Sequence, residues 1–486
     1  MNHHLKKIFM VFISLQLLAF VAIAQSKVVL YNAPDSAVKA TEFQVKVNGQ
    51  ESFAYKNDVS TITYFSFEGK VAIEISSTHD IKWVDIRPKN LGIEPVIKES
   101  KIYFSISKPC QLSVEINGES TRPVYIFASP LEKNIPSALD KNVIFFEKGK
   151  IHYANTIKLQ SNQSIYIEGG AIVRGVIEAE NANNIKVLGR GILEAGFVKE
   201  TRPIYLYQCE NIEIEGIILL NNTTWTLVPH ACNKVNISNI KIVSWAFGSD
   251  GIDLVATSHV SIKDCFLRCN DDCIVVKCWG GVEKYPETPT KGVDVTNIQV
   301  SNTVFWNMAW GNTIDIGFEL RCDKISNISF KNCDVIHVDR GAVFSIHNGD
   351  YAMVQDILYE DIRVEDAMHK LIDIAIFLSQ YSLDRPTNAE ERKARYKQGV
   401  WDGVLKVYAG EEEKYEKNRG YIKNITFKNI SVTDGQFPYS VISGYDSHNH
   451  QVENVLIQNL VIHGKRMKSL KEARVFVEHG KGIEIK

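Results

Sequence analysis

Four aspartates stand out for what their type and spacing could do. Asp250 and Asp253 fall in Gly248-Ser249-Asp250-Gly251-Ile252-Asp253, and Asp271 and Asp272 in Asn270-Asp271-Asp272-Cys273, 21 residues after Asp250. If one turn of the chain takes about that many residues, the carboxylates stack at the strand spacing of about 4.8 Å. Like charges that close raise at least one pKa, so one acid stays protonated while a neighbour stays ionised. Cleavage of a glycosidic bond needs that division of labour. Two plainer readings compete. Asp253 suits a turn corner as well as it suits catalysis, and a carboxylate cluster can hold Ca²⁺. For Asp271 and Asp272 a functional role is favoured, because adjacent acids beneath a third are costly without a task.

The elements that would position these residues recur along the chain. From Ile185 onward a polar or Asn residue precedes a β-branched alternation, as in Asn184-Ile185-Lys186-Val187, Asn211-Ile212-Glu213-Ile214 and Asn297-Ile298-Gln299-Val300. The leading apolar positions 185, 212, 237, 260, 298, 328, 357, 425 and 455 lie 27, 25, 23, 38, 30, 29, 68 and 30 residues apart. Strand pieces at this period, with no helical segment between them, predict a parallel β-helix whose coils bury one another. The recurring Asn and Asp suit corners with left-handed backbone. The two long intervals predict insertions at 277 to 296 and 376 to 422. The second is charged, has helix-forming composition, and is placed either to wall a cleft or as a solvated decoration.

Residues 1–24 read as a signal peptide: Lys6 and Lys7, the apolar run Ile8 to Val21, and Ala22-Ile23-Ala24 as cleavage site. The protein is therefore expected to be exported, periplasmic or secreted, with no membrane span in the mature chain. Residues 25–133 lack the repeat and alternate like sandwich strands, as in Phe43-Gln44-Val45-Lys46-Val47 and Leu112-Ser113-Val114-Glu115-Ile116. The expected architecture is all-β, a small β-sandwich followed by a right-handed parallel β-helix over 134–486. The first domain is expected to cover the open end of the helix. With 55 Lys+Arg against 57 Asp+Glu in 486 residues, the chain lacks the basic excess of a nucleic-acid binder. Nine cysteines leave at least one unpaired within the chain or bonded between chains. The spacing of Cys265, Cys269, Cys273 and Cys278 is not that of a zinc site, and these read as core thiols. No metal or organic cofactor is expected, and a monomer is.

Trp225-Thr226-Leu227-Val228-Pro229-His230-Ala231-Cys232, Ser249-Asp250-Gly251-Ile252-Asp253 and Asn270-Asp271-Asp272-Cys273-Ile274-Val275-Val276-Lys277 resemble, in order, signatures of family 28 glycoside hydrolases, the polygalacturonase-like enzymes. The resemblance covers about residues 140 to 350 and implies a right-handed parallel β-helix. It implies Asp271 as general acid, with Asp250 and Asp272 positioning and deprotonating the attacking water, and inversion at the anomeric carbon. An inverting pair is expected about 6.5 to 9.5 Å apart. The substrate implied is a pectin-type polysaccharide or oligosaccharide, and Asp253 is a further candidate for binding it.

The chain departs from the family at two points. The family's Gly-His-Gly segment matches Gly311-Asn312-Thr313, with Asn312 at the histidine position, and its carboxylate-binding Arg-Ile-Lys falls on Phe344-Ser345-Ile346, with no cation. Arg321, Lys277 or His347 would have to compensate, or the sugar is neutral, since a carboxylate buried without a partner is unfavourable. Trp245, Trp279, Trp306 and Trp310 lie near the acidic motifs and suit either stacking on sugar rings or core packing. The domain order also resembles the dextranase and isopullulanase family, which acts on neutral α-glucans. A Ca²⁺-dependent polysaccharide lyase, kept open by Lys277, and a non-catalytic glycan-binding protein complete the alternatives.

Overall fold

The computed structural model describes residues 26–198, 202–281, 290–397, 403–446 and 448–486. The expected signal peptide lies outside the described residues. Two sheets form the first part of the chain. One has six strands (Lys27–Leu30, Tyr55–Asn57, Ser60–Glu68, Val84–Arg87, Cys110–Ile116 and Val124–Pro130), the other five (Phe43–Val47, Gln50–Ser52, Val71–Ser77, Val96–Lys98 and Lys101–Ile106). They enclose Val45, Val47, Phe65, Phe67, Ile73, Leu112 and Val114. Ser60–Glu68 does not alternate: its first eight residues are all buried, because its second face is covered by the rest of the molecule.

From Val143 to Ile485 the chain winds as a right-handed parallel β-helix, a single network of 30 strands. Strands three apart in sequence pair in parallel through most of it, which makes three faces. The ladder face runs through Glu210–Glu215, Asn233–Ser238, Ser258–Lys263 and Val295–Ser301, the flank through Ile218–Leu220, Lys241–Val243, Phe266–Cys269 and Val304–Asn307. The cleft face runs through Leu227–His230, Ile252–Val255, Ile274–Cys278, Ile314–Leu320, Ala342–Asn348, Lys370–Ile376 and Tyr439–Ser443. Inside, Ile212, Val235, Val260, Ile298, Ile328, Ile357, Ile425 and Val455 stack in register. These are the positions the repeat predicts, with one exception. Val235 rather than Ile237 holds the register, because alternation buries both and spacing alone cannot separate them. Eight of the nine cysteines are buried and all nine are free thiols, most of them packed into this core.

The first domain lies along the flank, not over an end as the sequence suggested. Tyr55, Ile62, Tyr64, Tyr125 and Phe127 pack on Ile172, Ile192, Ile218, Leu220, Val243, Phe266, Val304 and Trp306. The flank face is apolar outward as well as inward, so a lateral cover removes far more apolar surface from water than an end cap would. The 376 to 422 insertion carries helices Ala389–Arg395 and Glu412–Glu416. Of the other predicted insertion, 282–289 lie outside the described residues.

Candidate active site

Strand alternation sets the cleft face. Ile252, Leu254, Ile274, Val276, Ile314, Ile316, Phe344 and Ile346 fill the core, so Asp253, Val275, Asp315, Ser345 and Asp373, paired in that order, face outward together. The same alternation relocates the Arg-Ile-Lys counterpart. Phe344 and Ile346 point inward, and the outward pair flanking Ile346 is Ser345 and His347.

Asp250 and Asp272 come from the turns that enter successive strands. The Gly251 N–H donates to the Asp272 carbonyl at 2.8 Å, which fixes one turn above the other. One oxygen from each of Asp250, Asp271 and Asp272 lies within 4.8 Å of the others. That is tighter than the separation expected from the sequence, so distance alone does not select inversion. Asp250 and Asp272 are buried, while Asp271 is partly exposed. Burial first, then the charges of Asp253, Asp271 and Asp272, push the Asp250 carboxyl well above its ordinary range, against Lys277. Burial, then Asp315 and Asp271, push Asp272 up likewise, against Lys277 and the Asn312 N–H. The cluster therefore retains a proton where an isolated carboxylate would have lost it. Gly311 leaves the space at Asp271 open: a Cβ there would come within 2.3 Å of the Asp271 carboxylate, and its φ is +58°.

The other candidates divide by place. Asn312, His347 and Trp310 line an open cleft of about 1550 Å³ with Asp271 and Asp272 at its head. The Asn312 N–H donates to Asp272 at 2.6 Å and its side chain accepts from the Ala342 N–H at 2.9 Å, so it serves the backbone as well as the site. His347 Nε2 lies 3.2 Å from Asp373, and its Nδ1 3.8 Å from Asp315. Trp310 meets Phe247 edge-on, with Arg340 4.6 Å above its ring. Asp253, Lys277 and Arg321 do not reach the cleft surface. Asp253 is fully buried. Lys277 donates to the Gly317 carbonyl at 3.2 Å and faces Glu319 at 3.5 Å, acting on the acids from beneath. Arg321 pairs with Asp350 at 3.2 Å and donates to the Tyr381 carbonyl at 2.6 Å, which anchors the insertion. Trp279 and Trp306 are core residues, and Trp245 is half exposed.

Two features escaped the sequence, and one alternative it left open is resolved. Asp315 and Asp373 belong to no local motif, and only strand register brings them beside the catalytic candidates. The insertion walls one side of the cleft through Leu405, Val407, Tyr408 and Glu412, resolving the alternative left open above. Glu416, Asp446 and His450 also come within 4.8 Å of one another at the far end. There Asn449 donates to Glu416 at 2.6 Å, and Asp446 accepts the N–H groups of His448 and Asn449, so loop structure accounts for them.

Fold and site together define a β-helical protein with a carboxylate cluster at the head of an open groove. Residues 127–475 match Glycosyl hydrolases family 28, and the chain belongs to that family. It is similar to a probable polygalacturonase of Arabidopsis thaliana, 24% identical over 40% of this chain and 40% of that one. It is also similar to the exopolygalacturonase rpg15 of Rhizopus delemar, 22% identical over 46% of this chain and 56% of that one. The chain thus spans about half the length of these curated relatives. Among solved structures, Dex49A from Penicillium minioluteum shares the fold with a TM-score of 0.64, 16% identity, and coverage of 92% of this chain and 96% of that one. An exopolygalacturonase from Thermotoga maritima gives a TM-score of 0.50 at 16% identity, over 67% and 85%.

Proposed function

We propose that the protein is an exported, inverting glycoside hydrolase that cleaves a pectin-type polysaccharide or oligosaccharide. The carrying observation is the three-carboxylate cluster at the head of an open cleft, in a chain of family 28. Asp271, the most exposed of the three, protonates the leaving oxygen. Asp250 and Asp272 orient the water and take its proton, and Lys277 tempers their charge from below. The relatives' polygalacturonase names support the pectin-type substrate, and the leader-like residues 1–24 support export. The insertion beside the cleft supports removal of units from chain ends, read as short products accumulating while long chains persist.

The test is reducing-sugar release from homogalacturonan, branched pectins and neutral α-glucans, with and without chelator. Asp271→Asn should lose turnover by about 10²- to 10⁴-fold, the usual worth of a general acid, and keep substrate binding. Equal turnover in the variant sinks the assignment. The same cluster has the shape of a cation site, which favours a lyase as the second reading. Unsaturated products that disappear with chelator would establish it instead.

A further inference from the structure

Beyond the catalytic cluster, the cleft floor has a charge pattern of its own. His347, Asp373 and Lys370 line it next to the aromatic rings of Phe318, Phe377 and Tyr381. Beneath, Ser345 donates its hydroxyl hydrogen to Asp315 Oδ1 at 2.5 Å, while the buried Asp315 Oδ2 has no hydrogen-bond partner. Of the basic side chains that line the cleft, His347 and Lys370 on this floor are already committed to carboxylates, while Arg340, His369, Lys397 and Lys406 line it too. His347 sits between Asp373 and Asp315, and Lys370 is held by Asp373. Lys277 is buried against Glu319. Burial tends to raise Asp373, but the charge and hydrogen bonds of His347 and Lys370 outweigh it and hold the group below the usual carboxylate range, so it is ionised at working pH. Asp315 lies close behind, so His347 already faces two carboxyl groups and Lys370 one.

A uronate seated directly on this floor would bring a further carboxylate against Asp373, and would have to break the His347 or Lys370 contact to find a partner there. A neutral sugar carries hydroxyls that donate to Asp373 and an apolar face that lies on aromatic rings. Phe318 stacks on His347 at 5.1 Å and on Tyr381 at 5.8 Å, nearly parallel to both, so one aromatic column borders the floor.

We propose that the subsite floored by His347 and Asp373, backed by Asp315 and walled by Phe318 and Tyr381, accepts an uncharged sugar unit and excludes a uronate carboxylate. This rests on the hydrolase reading and narrows it: the substrate carries a neutral unit on the side of the cleft away from Asp250.

The test compares oligogalacturonate with its carboxyl-reduced counterpart, in which the linkage is unchanged and each carboxylate has become a hydroxymethyl group. Calorimetry in the Asp271→Asn background reads binding without turnover. The reduced oligomer should bind at least tenfold more tightly. Adding Asp373→Asn, which frees His347 and Lys370 to meet an anion, should shift the ratio at least tenfold toward the acid. Lys370→Met should move it the other way, and serves if Asp373→Asn does not fold. A merely structural Asp373 would weaken both ligands alike. Tighter binding of the acid form, a ratio that Asp373→Asn and Lys370→Met leave unmoved, or binding of neither ligand overturns the assignment. Preferential binding of the neutral form with no hydrolysis of either by the unmutated protein supports the subsite and overturns the hydrolase reading alone.

Discussion

Asp250 and Asp272 are held in a place where their charged forms are disfavoured, and this has a consequence for stability. Both carboxyls are raised above the ordinary value of 3.8 by burial and neighbouring acids. In the unfolded chain they lose their protons near that ordinary value, while in the folded protein they keep them longer. The stability present below the unfolded value is therefore lost as pH rises toward the folded one. Asp250→Asn and Asp272→Asn remove that loss, so each should raise the melting temperature at pH 7, with the gain shrinking toward zero near pH 4. A variant that melts lower than the parent at pH 7 would contradict the charge-crowding account. Asp250, Asp271 and Asp272 were legible because each sits in a turn motif readable from contiguous residues. Asp315 and Asp373 were not, because nothing next to them in sequence distinguishes an outward strand residue over the cleft from one over solvent.

At the scale of elements, the corners of the ladder face are set by asparagines. Asn297 has φ +60° and Asn327 φ +57°, a backbone region that Asn tolerates better than other side chains with a Cβ. Their amides also bond from coil to coil. Asn297 donates toward His259 at 3.0 Å, and Asn327 donates to Asn297. A second ladder joins Asn332 to Asn302 at 2.8 Å, and a third joins Asn459 to Asn429 at 2.9 Å. Asn297→Ala loses both the backbone tolerance and the amide bonds and should cost about 1–3 kcal/mol. Asn297→Gly restores the backbone but not the bonds and should cost less. Chemical denaturation of the pair checks the order, and a milder loss for Ala than for Gly would count against it. The repeat was readable because these corners recur with the strands. Its phase was less so at 235 and 237, where two inward residues compete for one register. The side of the helix that the first domain would cover was also hidden, because the flank strands are short, and their outward residues Ile218, Leu220 and Val243 read as ordinary core.

The two parts of the molecule are joined by a buried charge network as well as by that apolar flank. Arg87 of the first domain pairs with Glu115 at 3.0 Å and with Glu365 of the β-helix at 2.7 Å. His337 of the β-helix reaches Glu115 at 2.9 Å and Asp366 at 3.2 Å, with its ring 4.4 Å from that of Trp306. Burial alone would lower the His337 pKa, but Asp366 and Glu115 outweigh it and raise the group to about 9, against Arg87. From an unfolded value near 6.5 this amounts to roughly 3 kcal/mol. The sign is that of a raised cation. The contribution is complete below about 6.5 and is lost as pH rises through about 9. Glu115 is the same contact seen from its partner: burial pushes it up, and His337 and Arg87 pull it below its ordinary 4.5, so its share is present above that value and lost in acid. The join between the domains should therefore be strongest between about pH 4.5 and 6.5. Thermal unfolding of the parent should fall in midpoint from pH 6 to pH 9, and His337→Gln, neutral throughout, should flatten that slope while starting lower at pH 6. The first domain packs on the flank through Tyr125 and Phe127 against Phe266, at the level of the coils that carry the acidic cluster. Loosening at high pH should therefore reach the acidic cluster, and a parent whose midpoint does not fall across that range would show that the network contributes no net stability to the join.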